Sequence, residues 1–290
     1  MHSTLPPPPA GPQPAPRSRT LEALRARARA GAFELPVLPE SATQIVRLTQ
    51  DESTTPKRLA STIEHDPALA AHLLRIANSP LHRPPSPIRT MEQAIVRMGF
   101  TEVRNMALAV ACKTRVFVVR GYEADVRRSF RHSLAAALFA HELARGRGIS
   151  REEAFLTGLL HDVGEPLLIQ LALDLAKGHG ETLPRAALLS EVHALHAEVG
   201  ARLIRLWKLS EMAVDLTMLH HAPECAPPHL ASAARMLAYA DELADVALAT
   251  TEGMPNAESV HPPGLGMSAD DVEAIEGKVA AIRGTVDALS

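Results

Sequence analysis

The chain has 290 residues, 46% of them hydrophobic but only 3% aromatic, with 30 basic and 33 acidic side chains and a formal charge of -3. This is enough apolar material for one large domain or two modest ones. The mixed charges form no concentrated basic stripe, which argues against nucleic acid as a partner, and no apolar run has the length of a membrane span. The apolar residues are largely Ala, Leu and Val, which favours close-packed helices over sheets.

Leu5 to Pro16 reads LPPPPAGPQPAP, which can neither form a helix nor donate ladder hydrogen bonds, so a disordered or polyproline tail is expected there. No apolar signal-type core opens the chain, and Cys112 and Cys225 lack CxxC spacing. The reading is a reduced, cytoplasmic protein. Thr20 to Ala30 predicts a short Arg-rich helix with a solvated basic face; residues 1–34 are therefore set apart from the domain that follows.

Ordered structure is expected from LPVLPES at Leu35, with Ser41 capping a helix that carries Ala42, Ile45, Val46 and Leu48. Thr55-Pro56 and Asp66-Pro67 each place proline at the first position of a helix. Asn78 to Pro87 is too rich in proline to be helical, and Asn78 is read as a cap. Thr90 starts a helix that Gly99 stops, and Thr101 starts the next. A long Ala/Leu-rich helix spans Arg128 to Arg145. Ser150 and Glu153 form a capping box before AFLTGLLHDVG. Three further helices are predicted around His193 to Trp207, Glu211 to His221 and Leu230 to Ala249, with Trp207 as a core anchor. No period-two alternation of any length occurs, so the fold class is all-α.

Gly253 to Gly266 has linker composition, and residues 251–267 are read as a linker. Ser268 and Asp271 then cap one last helix, Ala269 to Leu289, with Val272, Ile275, Val279, Ile282 and Val286 in a stripe. That stripe must be buried against its own domain, the simpler reading, or against a second subunit of a homodimer.

Histidine is the informative residue: nine of the 14 lie between His132 and His229. His161-Asp162 pairs an imidazole with a carboxylate at the end of an apolar helix, a donor set suited to Fe, Mn, Ni or Zn. His132 precedes it by one helix, and His196, His220-His221 and Asp241 follow on successive helices. A bundle can gather such residues into one core site. His141, His179, His193 and His229 fall outside the pattern.

The order H…HD…H…HH…D resembles the HD superfamily of metal-dependent phosphohydrolases. Within it, the closest likeness is the HDOD domain, a bacterial signalling module. The likeness is carried by LPVLPES, IEHDPALAAHLLRIANSP, AIVRMGFTEVRNMAL, RHSLAAALFAHELAR, AFLTGLLHDVGEPLL, HAEVGARLIRLWKLS, the HH pair and YADELAD. It implies an N-terminal helical subdomain, residues 35–119, packed on an HD-like bundle, residues 120–250. It implies a metal set of His132, His161, Asp162 and Asp241, with His196, His220 and His221 matching a second metal of the HD-GYP phosphodiesterase branch. Glu165 stands where that branch has a phosphate-binding Lys, and the GYP signature is missing from HHAPECAPP.

These features predict a regulatory output module that acts through signalling-protein partners or a nucleotide ligand. The alternative is a metal-dependent phosphohydrolase acting on a nucleotide or cyclic dinucleotide. The groove between the two subdomains is the expected binding site.

Overall fold

The computed structural model describes residues 18–79, 86–116, 119–249 and 265–289; the proline-rich segment, most of the 251–267 linker and residues 80–85 lie outside them. Helices make up the fold, and no strand occurs among the described residues.

The first lobe holds α2 (Glu40–Gln50), α3 (Pro56–Glu64), α4 (Pro67–Ala77), α5 (Met91–Met98) and α6 (Phe100–Ala111). Thr55 accepts from the Arg58 amide and Asp66 from the Leu69 amide, each directly before its proline. Thr90 and Gln93 close a full capping box on α5, and Gly99 ends it. Two starts differ from expectation. Helix α2 begins at Glu40 behind Pro39 without a side-chain cap, and Ser41 instead hydrogen-bonds Asp66. Helix α6 begins directly after Gly99, one residue before Thr101. Asn78 ends α4 and also braces the returning chain, donating to the carbonyls of Leu74 and Ile88 and accepting from the Ile88 amide.

A π-helical turn, Cys112–Val116, leads out of α6. The second lobe holds α7 (Glu123–Leu143), α8 (Arg151–Leu160), α9 (Gly164–His179), α10 (Arg185–Leu206), α11 (Glu211–Leu219) and α12 (Ala231–Ala249). Helix α9 was not singled out from the sequence, because Pro166 and the HDVG turn mask its start; proline is tolerated there because it lies in the first turn. Ser150 caps α8 from one side only: it accepts from the Glu153 amide, while the Glu153 carboxylate bonds Ser210. One apolar core runs unbroken from Leu38 through Leu108, Phe139 and Leu160 to Ala244 and Val286, so the lobes share their interior. The Trp207 indole is buried and donates to the Pro36 carbonyl at 2.9 Å.

The ends of the chain depart most from expectation. Helix α1 (Arg19–Ala30) forms as expected with its arginines on the exposed side, but its other face is docked: Leu24 and Ala28 are buried in a second core with Leu168, Ala172 and Val192 of α9 and α10. Its Arg25 forks onto Glu191, and Ser18 and Thr20 bond Glu181. The predicted last helix is two, α13 (Ala269–Glu276) and α14 (Val279–Leu289), interrupted at Gly277. The Ser268–Asp271 capping box is present. The stripe of Val272, Ile275, Val279, Ile282 and Val286 is buried within the chain, against α7, α12 and α4.

Candidate functional site

Two close helix approaches set the frame. A Cβ on Gly158 would meet the Ala137 backbone at 2.7 Å, so α8 presses directly on α7. A Cβ on Gly164 would meet the His196 carbonyl at 2.2 Å, so the start of α9 presses on α10. The HD turn between Gly158 and Gly164 is thereby held among four helices.

The histidines are oriented by backbone. His161, at the end of α8, donates from Nδ1 to the Gly158 carbonyl at 2.8 Å. His196, within α10, does the same to the His193 carbonyl at 2.7 Å. His220, at the end of α11, does so to the Thr217 carbonyl at 2.6 Å. Carbonyls only accept, so each Nδ1 carries a hydrogen and each neutral ring offers an Nε2 lone pair to the site. All three rings are buried.

Asp162 joins two groups of these nitrogens. Its Oδ2 lies 3.2 Å from His161 Nε2 and 3.8 Å from His132 Nε2. Its Oδ1 lies 3.1 Å from His196 Nε2 and 3.6 Å from His220 Nε2. Asp241, on α12, completes the first group at 2.6 Å from His132 and 3.1 Å from His161. His221 adjoins the second group, with Nε2 3.2 Å from His196 Nε2. Every residue expected from the sequence is thus brought together.

Electrostatics bind the groups to one another. Burial alone would raise the Asp162 carboxyl, but His161, His196 and His220 around it hold it well below its ordinary range. Burial opposes charge on His132, and its hydrogen bonds to Asp241 and Asp245 outweigh that, raising it to about 9. Burial, then the neighbouring imidazoles of His220, His196 and His193, pushes His221 down to about 4. Glu165 is raised by burial and by Asp162. The negative charge expected at Glu165 is therefore weakened by its surroundings.

Sequence reasoning passed over three residues here. Asp245 lies 3.1 Å from His132 Nδ1, one turn after Asp241 on the same face of α12. His193 stacks near His196 and His221, and its signal was the His-x-x-His spacing of one turn. Arg128 enters the cleft one turn before His132 and pairs with Asp125 at 3.2 Å.

The cleft over the site, about 370 Å³, lies inside the second lobe, with His132, Asp162, Glu165, His193, His221 and Asp241 in its walls. A smaller apolar cavity of about 190 Å³, walled by Val126, Phe130, Leu159 and Pro166, lies between the π-helical turn and α7. The expected groove between the lobes corresponds to this smaller cavity. The two share Ser129 and Asp162.

The donor chemistry fits transition-metal ions. Around Asp162, histidine nitrogens lie 3.1–3.8 Å from the carboxylate oxygens, near the roughly 3.4 Å between ligands of a four-coordinate ion with bonds of about 2.0–2.1 Å, while His132 and Asp241, at 2.6 Å, would part slightly to share one. His132, His161, Asp162 and Asp241 form one such group, and Asp162, His196 and His220 another.

The fold and this cluster define an all-helical bundle with an HD-type histidine/aspartate centre. The chain belongs to the HDOD domain family, whose model matches residues 35–223. An HDOD domain protein from Geobacter sulfurreducens has the same fold (TM-score 0.68, 22% identity, covering 93% of this chain and 98% of that one). So does a protein of Shewanella amazonensis SB2B provisionally classed as a phosphohydrolase (TM-score 0.69, 25% identity, 92% and 98%). An uncharacterized protein of Treponema pallidum (strain Nichols) is 24% identical over an alignment of 215 residues, covering 69% of this chain and 41% of that protein. The chain thus matches less than half the length of that relative. No described helix is long and apolar enough to cross a membrane.

Proposed function

We propose that this chain is a signal-transduction output module that acts by binding, with a divalent transition-metal centre in its second lobe as the ligand site. The supporting observation is Asp162, whose two oxygens address two separate groups of inward-facing imidazoles. His132, His161, Asp162 and Asp241 would hold one ion; Asp162, His196 and His220, with His221 alongside, would hold another. Such an ion supplies a Lewis acid and an anchor for anionic groups. A nucleotide ligand suits the cleft, its phosphate drawn to the centre and its apolar part to the adjoining cavity. Partner proteins would read the packing of the two lobes, which share one core.

Binding is placed ahead of turnover because of Glu165. A carboxyl group occupies the cleft where the HD-GYP likeness calls for a lysine, so a bound phosphate would rest on the metal ions alone, with no ammonium to stabilise the charge that develops in hydrolysis. A second reading, a metal-dependent phosphohydrolase acting on a nucleotide or cyclic dinucleotide, is favoured by Arg128, a cationic residue in the wall of the same cleft, paired with Asp125.

Metal content by mass spectrometry, wild type beside Asp162→Ala, tests the centre. Near-stoichiometric transition metal in the wild type, reduced in the variant, supports it; metal in neither refutes it. Metal-dependent phosphate release from nucleotides, abolished in Asp162→Ala, would then put the hydrolase reading first.

A further inference from the structure

The cleft holds two histidines, His193 and His221, that lie outside both inner groups. His193 precedes His196 by one turn of α10, and its ring centroid lies 5.5 Å from that of His196 and 4.8 Å from that of His221. One donor atom from each of the three lies within 4.8 Å of the others. His196 is buried, whereas His193 and His221 are exposed at the cleft wall. An exposed imidazole can swing to close a shell; a buried one cannot.

His196 has a single nitrogen to give. Its Nδ1 is spent on the His193 carbonyl, so Nε2 alone can ligate. That atom faces inward to Asp162 Oδ1 at 3.1 Å and His220 Nε2 at 3.0 Å, and outward to His221 Nε2 at 3.2 Å. One lone pair serves one ion, so inner and outer positions exclude each other.

We propose that His193, His196 and His221 form an outer berth for a divalent ion, from which it passes inward to Asp162, His196 and His220. The proposal rests on the metal reading for its inner berth. Three imidazoles and no carboxylate select zinc, cobalt, nickel or copper over magnesium, calcium or manganese. The order of burial sets the path: an ion entering from solvent meets His193 and His221 before buried His220. Exchanging waters for imidazoles at the rim removes the need for a hydrated ion to enter the closed interior whole.

The test is cobalt(II) uptake by the metal-stripped full chain, followed by visible absorption in a stopped-flow mixer, with final stoichiometry by mass spectrometry. Wild type should take two ions, and His193→Ala should reach the same content measurably more slowly. His220→Ala, and Asp162→Ala where it folds, should keep an ion that is lost when His193→Ala is added. Wild-type loading with an unchanged rate in His193→Ala overturns the outer berth and leaves the metal centre standing. Three ions in the wild type overturn the exclusion at His196. No uptake by the wild type overturns both. An ion retained through His193 in a chain whose inner centre stays empty supports the berth while removing the centre.

Discussion

His196 and His220 meet Nε2 to Nε2 at 3.0 Å, and each has already committed its Nδ1 hydrogen to a backbone carbonyl. Two neutral rings so arranged oppose lone pair to lone pair, and the contact becomes favourable only with a cation between them. Without a metal, that cation is a proton: burial disfavours it on both rings, but Asp162 outweighs burial at His196, raising that ring, while His220 stays lowered. His220→Ala removes one of the opposed nitrogens. It should weaken binding of the ion beside His196 by about 10- to 100-fold, read by competition with a chromophoric chelator, and leave the ion at His132 and Asp241 in place.

Gly164 tests how closely α9 must approach α10. In Gly164→Ala the new methyl would meet the His196 carbonyl at 2.2 Å and the Gly200 amide nitrogen at 2.8 Å, both backbone atoms that cannot rotate away. A loss of about 1–3 kcal/mol is expected in denaturant unfolding, with reduced metal content because His196 moves with its carbonyl.

Leu24 tests the docking of α1. It is completely buried between α1 and the α9–α10 pair. Leu24→Ala should lower stability by about 2–4 kcal/mol if the helix unfolds with the whole chain. Faster amide exchange confined to residues 19–30, with an unchanged global midpoint, would show instead that α1 detaches separately.

Glu142 ties α7 to the C-terminal helices, where it accepts from Lys278 and, at 3.1 Å, from Arg151. Its neighbour His141, with Nδ1 3.6 Å away, leads in lowering its carboxyl, burial opposes, and Lys278 and Arg151 add to it, bringing it from 4.5 to about 2. A lowered folded-state value means stability that is fully present above the unfolded value and lost as pH falls through the folded one. The wild-type advantage over Glu142→Gln should therefore hold steady above about pH 5 and shrink toward about pH 2. Urea midpoints across that range check it, and a gap that grows on acidification would count against the assignment.

Much of the fold was legible because its signals are local. Thr55, Asp66 and Thr90 act on the first turn of their own helices, where no distant contact competes. The signals misread were those that tertiary contacts override: Ser41 turns to Asp66, and Glu153 turns from Ser150 to Ser210. Gly277 breaks the final stripe into two helices, yet its apolar residues still reach the core.

By itself, the sequence determined the all-helical class, the HDOD likeness and the residues that gather at Asp162, because helical periodicity, caps and ordered motifs are written along the chain. Only the tertiary structure decided that Asp162 divides its oxygens between two groups, that His193, Asp245 and Arg128 join the cleft, and that α1 and the last helices fold onto the bundle. These depend on which helix faces meet and how closely, through contacts such as Gly164 against His196. Such distances arise from packing between segments far apart in sequence, which no local pattern encodes.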